Sequence, residues 1–165
     1  MRSAHAELAD LELLYRTRLA AFRRVARGIV GDDEAARDAV QEGFAQAVRN
    51  RARFRGEGSL EAWVWRAVVN SARMQRRRRD ARPIVPLPDA DVAASNGASP
   101  EPDEHVRAAV AALPERQRLI LFLRHYADLD YATIAAALDI SPGTVAATLN
   151  SARSALRRVP PEVHR

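Results

Sequence analysis

Apolar residues recur along this chain in steps of three and four, and each run begins or ends at a residue suited to a helix terminus. Leu8, Leu11, Tyr15, Leu19, Phe22, Ala26 and Ile29 trace one stripe of a long amphipathic helix that Gly31 closes. Asp32 or Asp33 opens a second helix, about Glu34 to Arg49, which buries Ala36, Val40, Phe44 and Ala47 or Val48 and leaves Asp38, Gln41, Glu42 and Ala45 on a separate polar ridge. A loop, NRARFRGEGS, sets Phe54 between arginines and two glycines, and a third helix then runs through LEAWVWRAVVNSARMQRRRR with Leu60, Val64, Ala67 or Val68, and Ser71 inward. Further on, Asp130 caps a short helix bearing Ile134, Ala135 and Leu138, and Asp139-Ile140 make a turn. Ser141 followed by Pro142 opens a last helix, with Val145, Leu149, Ala152 and Leu156 on its buried side. That pair reads as a helix-turn-helix, or else as a plain helical hairpin. No alternating β-branched run interrupts the pattern, so the expected fold is all-α.

Charge divides the chain into three. Residues 1–82 carry a net +7, residues 83–104 a net −5 and residues 105–165 a net +3, within an overall +5. The middle block, PIVPLPDADVAASNGASPEPDE, is rich in Pro, Ala, Ser and Asp and reads as an acidic flexible linker able to span at most ~70 Å between two small helical domains. All 26 basic residues are arginine, whose fork suits phosphate, although a GC-rich coding sequence also enriches Arg and Ala. The absence of cysteine excludes disulfides, thiolate zinc sites and a thiol nucleophile. His5, His105, His125 and His164 have no metal-ligand spacing, so neither metal nor cofactor is expected. No run approaches the ~18 apolar residues of a membrane span, and the first residues lack the apolar core of a signal peptide. A cytoplasmic protein is expected.

Two faces carry the candidate chemistry. On the third helix Arg66, Asn70, Arg73 and Arg77 align at i, i+4, i+7 and i+11, extended by Arg76, Arg78 and Arg79. Phe54, Trp63 and Trp65 lie just before them, and rings beside a basic track suit single-stranded DNA. The bland alternative is a solvated arginine face over core tryptophans; Trp63 is expected to be mainly core, whereas Phe54 and Trp65 are candidates for base contact. On the last helix Ser141, Thr144, Ala147, Thr148 and Ser151 form the face a helix-turn-helix lays in the major groove, and all are uncharged.

Across nearly its whole length the chain resembles the extracytoplasmic-function group of bacterial RNA polymerase sigma factors. GDDEAARDAVQEGFAQAVR is similar to the family's second conserved region, and FRGEGSLEAWVWRAVVNSARMQRRRR to the segment after it, where Trp63, Arg66, Ala67, Asn70 and the terminal arginines match. AALPERQRLILFLRHYADLDYATIAAALDISPGTVAATLNSARSALRR resembles the fourth region, with Leu113, Pro114, Gln117, Arg118, Ser141, Gly143, Thr144 and Arg153 among the matches. The resemblance implies that Asp38, Gln41 and Glu42 bind core RNA polymerase. It implies that Phe54, Trp65, Arg66, Asn70, Arg73, Arg76 and Arg77 bind the minus 10 element, both as duplex and as melted non-template strand. It assigns Arg118, Ser141, Thr144, Ala147, Thr148, Ser151 and Arg153 to duplex minus 35 DNA, and the linker to the polymerase channels. An anti-sigma factor is a further possible partner, and no extra C-terminal domain is expected.

The chain departs from the family pattern where basic residues are common on the recognition helix, which here carries Ala146, Thr148 and Ser151. Asp139 stands at a turn position often held by glycine, Thr133 replaces a frequent glutamate and Met74 a frequent aspartate. Minus 35 binding is therefore expected to be weak and its reading either loose or directed at a sequence reached by Thr and Ser hydroxyls and Ala methyls, with Arg116, Arg118 and Arg124 available for backbone contacts. The competing readings are a sigma-like decoy for polymerase or an anti-sigma factor, and a stand-alone helix-turn-helix regulator. No nucleophile, metal or phosphate-cradling constellation points to an enzyme.

Overall fold

A computed structural model describes residues 6–81 and 104–158, and most of the expected linker lies outside them. The first domain consists of α1 (Leu8–Val30), α2 (Asp33–Arg49), a single 3-10 turn (Arg51–Arg53) and α3 (Leu60–Asp80). The second consists of α4 (Glu104–Ala112), α5 (Glu115–His125), α6 (Tyr131–Leu138) and α7 (Pro142–Arg157). Among the described residues there is no strand, and the all-α expectation holds. Helix α4 begins at Glu104, the last residue of the expected linker.

The termini follow from local chemistry. Gly31, at φ 81°, takes the left-handed conformation that ends α1 and returns its N–H to the Arg27 carbonyl. Asp32, Ser59, Asp130 and Ser141 each accept a backbone N–H three residues on, satisfying one of the donors that a helix start leaves without a partner. Asp139 ends α6 in the left-handed region, at φ 57°, and α7 leaves at 103° to α6, within the range of a helix-turn-helix.

In the first domain α3 packs against both α1 and α2. Its buried side is therefore wide, taking in Ala62, Val64, Trp65, Val68, Val69, Ser71 and Ala72. Phe22 joins this core from α1, with its ring centroid 4.0 Å from Trp65 and 5.0 Å from Phe44. In the second domain Ile120 and Leu123 of α5, Ile134 of α6, and Val145, Leu149 and Ala152 of α7 are fully or almost fully buried. Helix α6 also packs on α3, and α5 on α1. Arg18 spans that junction. Its Nε donates to Glu61 at 2.9 Å, and its Nη2 donates to the Ala127 carbonyl in the second domain.

Candidate nucleic-acid interface

The outward face of α3 carries the arginine stripe. Arg66, Asn70 and Arg77 are exposed, and Arg73 and Arg76 are half-buried. Asn50 closes α2, and Gly56 and Gly58 at φ 72° and 86° turn the following loop back towards Ser59, which caps α3. This path sets Phe54 beside Trp63 with ring centroids 5.6 Å apart, both rings half-buried. The two tryptophans exchange their expected places. Trp65 is fully buried, tilted against Phe22, with its Nε1 donating to Glu61 at 3.4 Å, so it cannot meet a base. Trp63, two residues earlier and therefore about 200° round the helix from Trp65, is the ring that reaches the surface.

Not every arginine of the run is free for phosphate. Arg79 donates to the Val30 carbonyl at 3.1 Å, capping the C-terminus of α1, and Arg76 lies 3.8 Å from Asp80. Arg66 and Arg73 reach into the second domain. Arg66 donates to the Ala136 carbonyl at 2.7 Å and lies 3.8 Å from the Asp139 carboxylate, and Arg73 donates to Glu115 at 2.9 Å.

The α2 ridge is open to solvent, with Asp38, Gln41 and Glu42 all exposed. Glu42 accepts from Gln46 at 3.1 Å and Arg49 at 2.8 Å, and these two bonds, Gln46 first, hold its carboxyl below the usual range. On α7 the face expected to read duplex DNA is exposed at Ser141, Ala147 and Ser151 and half-buried at Thr144 and Thr148. Its hydroxyls are partly committed already. Ser141 and Thr144 share a bond of 2.8 Å, and Thr148 donates to the Thr144 carbonyl at 2.7 Å. Arg153 is half-buried beside α5, where with Arg124 it adds to the burial that lowers the His125 pKa.

Arg118 does not belong to this face. Its guanidinium donates to the Ala111 carbonyl at 2.8 Å and more weakly to that of Leu113, so it satisfies the end of α4. It faces a cleft of about 670 Å³ between the domains, lined also by Arg76, Arg79, Val110, Phe122 and Tyr126 and by no residue of α7. Burial, together with the nearby Arg76, lowers its pKa.

Residues 14–82 match the family described as Sigma-70 region 2, and residues 104–156 match Sigma-70, region 4. The chain is 31% identical over 146 residues to the ECF RNA polymerase sigma factor SigM of Mycobacterium tuberculosis, a match spanning 88% of this chain and 74% of that one. It is 32% identical over 164 residues to the RNA polymerase sigma-E factor of Streptomyces avermitilis, over 93% of this chain and 87% of the relative. The chain belongs to the extracytoplasmic-function sigma factors. Among solved structures its fold is similar to the sigma factor RpoE in complex with the anti-sigma factor NepR from Bartonella quintana, at a TM-score of 0.70 and 22% identity over 92% of this chain and 97% of that one. It is also similar to CnrH in complex with the cytosolic domain of CnrY, at 0.68 and 18% over 92% and 88%.

As a sigma factor the protein is a DNA-binding factor of transcription initiation that works with RNA polymerase, and its second domain is the helix-turn-helix of region 4. No single helix among the described residues is long and apolar enough to cross a membrane. Sequence reasoning placed Trp63 in the core and missed Arg18 and Gly28 at the junction between the domains of this sigma factor. Trp63 carried a signal in its position directly before the basic stripe. Arg18 and Gly28 carried none, because their partners, Ala127 and Phe122, lie across the linker.

Proposed function

We propose that this sigma factor uses its two domains, residues 1–82 and 105–165 joined by the acidic linker 83–104, for a division of labour. Asp38, Gln41 and Glu42 bind core RNA polymerase, α3 engages the minus 10 element, and α7 reads the minus 35 element in duplex form. The observation that carries the reading is the Phe54–Trp63 ring pair at the start of α3, the helix whose stripe exposes Arg66, Asn70 and Arg77 further along. Flipping a base out of the duplex costs a few kcal/mol, and stacking on an aromatic ring returns ~1–3 kcal/mol per base. Two rings with arginines on the flanking phosphates therefore offset most of the cost of exposing the non-template strand. No covalent step is needed, and the protein acts as a binding factor and not as an enzyme.

On α7 the uncharged face offers methyl and hydroxyl contacts, and phosphate contacts are few. Each missing phosphate contact lowers the log-log salt slope by about 0.9, so minus 35 binding is weak until polymerase tethers the domain. The cytoplasm is the expected location. Two solved neighbours are sigma factors in complex with NepR and with the cytosolic domain of CnrY, which supports a protein of anti-sigma type as a regulator here too. The test is run-off transcription with sigma-free core polymerase. Asp38→Arg should abolish association with core, whereas Asn70→Ala should associate normally and fail to open the promoter; wild-type protein that does not bind core contradicts the reading.

A further inference from the structure

Arg76, Arg79 and Arg118 converge on the cleft of about 670 Å³, and Asp80 is the one acid among the described residues that line it. Arg79 gives Nη1 to the Val30 carbonyl at 3.1 Å, Arg118 gives Nη1 to the carbonyls of Ala111 and Leu113, and the Arg76 Nε lies 3.8 Å from Asp80. These bonds use one nitrogen of each guanidinium, and a carbonyl neutralises no charge. Arg118 feels the crowding: burial first, and then the charge of Arg76, lower its pKa, with Glu115 opposing them. Glu115 is itself held by Arg73 at 2.9 Å. Positive charge therefore collects in a concave site, where its field is focused. The remaining wall is apolar and aromatic. Gly28 lets the Phe122 ring lie directly on α1, since a Cβ there would stand 2.5 Å from the ring. Tyr126 stacks on Phe122 with centroids 5.1 Å apart and an interplanar angle of 15°, and at 41% exposure it leaves ring area open to a further stacking partner. Val106 and Val110 of α4 face the same space.

We propose that this cleft is a binding site for a nucleoside di- or triphosphate, with the base against Tyr126 and the phosphates on Arg76, Arg79 and Arg118. The class of ligand follows from the two halves of the wall. An apolar monoanion such as a fatty acid would engage one guanidinium and leave the others crowded, and an inorganic polyphosphate would leave the tyrosine ring and the valines bare. A nucleotide serves both, with guanidinium forks on its phosphate oxygens and an aromatic face for its base. The volume lies within the range of about 300–1,000 Å³ typical of small-molecule sites. Because α1 and α3 supply one side and α4 and α5 the other, a bound nucleotide stabilises the full chain. The site does not depend on the roles proposed for the α3 stripe or for α7.

Calorimetric titration of the full chain with magnesium-free ATP tests the proposal, beside tripolyphosphate and adenosine, each of which carries one half of the ligand. One ATP should bind per chain, about tenfold or more tightly than either half, the worth of one stacked base or one arginine–phosphate contact. Arg118→Gln removes the charge and keeps a donor for the α4 carbonyls, and Arg76→Gln removes a charge without touching α4. Each should weaken ATP and tripolyphosphate alike by about tenfold. Tyr126→Ala should weaken ATP by about fivefold or more and leave tripolyphosphate unchanged, a split that a general loss of structure does not produce. Arg37→Gln and Arg77→Gln make the same change in charge at exposed positions outside the cleft and should bind ATP as the wild type does. ATP should also raise the melting temperature of the wild type, and raise that of Arg76→Gln less at the same concentration. The proposal is overturned if ATP does not bind, if either half binds as tightly as ATP, if Tyr126→Ala keeps the wild-type affinity for ATP, or if Arg37→Gln or Arg77→Gln loses as much affinity as the cleft variants.

Discussion

Gly43 controls how closely α2 approaches α3, and replacing it with alanine measures that approach. A Cβ at this position would stand 2.6 Å from the Val68 Cα and 2.9 Å from its backbone nitrogen, where ordinary contact begins at 3.4 Å. The obstacle is backbone, so no rotamer change relieves it, and the helices must separate locally by about 0.8 Å to restore 3.4 Å. Alanine gains ~1 kcal/mol over glycine in helix propensity, against an overpacking cost of ~1–3 kcal/mol to which the loosening of Val40, Phe44, Val64 and Val68 adds. The balance is a net loss of about 1–2 kcal/mol, which for a domain of this size lowers the melting temperature by roughly 5–15 °C. Thermal unfolding of the full chain followed by circular dichroism reads it directly. Separation also shifts the α2 ridge that we propose binds polymerase relative to the stripe on α3, so transcription should fall even at temperatures where the variant is folded. A Gly43→Ala protein that melts at or above the wild-type temperature refutes the reasoning.

The exchanged tryptophans separate by kind of effect: Trp65→Ala should cost ~3–5 kcal/mol and leave little folded protein, whereas Trp63→Ala should cost about 1 kcal/mol and impair promoter opening, as seen by chemical denaturation beside run-off transcription. Ala147→Arg adds a phosphate contact to the exposed face of α7, so the log-log salt slope of duplex binding should steepen by about 0.9 in a fluorescence titration. His125 has a pKa lowered first by burial and then by Arg153 and Arg124. The folded chain therefore binds fewer protons than the unfolded chain below the ordinary value of 6.5, and stability, full above that pH, should decline as pH falls from there towards the folded pKa. His125→Gln should flatten that decline in urea titrations run across the same range.

Much of the fold was legible because helix termini are written in single residues. Gly31, Asp32, Asp130 and the Ser141-Pro142 pair all act where their chemistry says they should, and the three-four apolar steps of α1 from Leu11 onward, of α2 and of α7 meet the core, whereas Leu8, the first of the α1 stripe, is exposed. The face of α3 was harder to read. Its inward stripe through Val64, Val68 and Ser71 was visible, but α3 is packed on two sides by α1 and α2, so Ala62, Trp65, Val69 and Ala72 are buried as well. A one-sided helical pattern leaves Trp65 undecided, and Phe22 from α1 settles it. Arg118 was assigned to minus 35 DNA by the family resemblance, whereas the carbonyl oxygens of the α4 terminus claim it. The junction between the domains left no periodic trace. Arg66 meets a backbone carbonyl, and backbone acceptors have no identity in a sequence.

The measurement closest to the central claim is permanganate reactivity of thymines in the minus 10 region, on promoter DNA bound by core polymerase and this sigma factor. Capture of the non-template strand on Phe54, Trp63 and the α3 stripe predicts reactive thymines with the wild type, and their loss with Trp63→Ala and with Asn70→Ala while the duplex remains bound. Undiminished reactivity in both variants would contradict it.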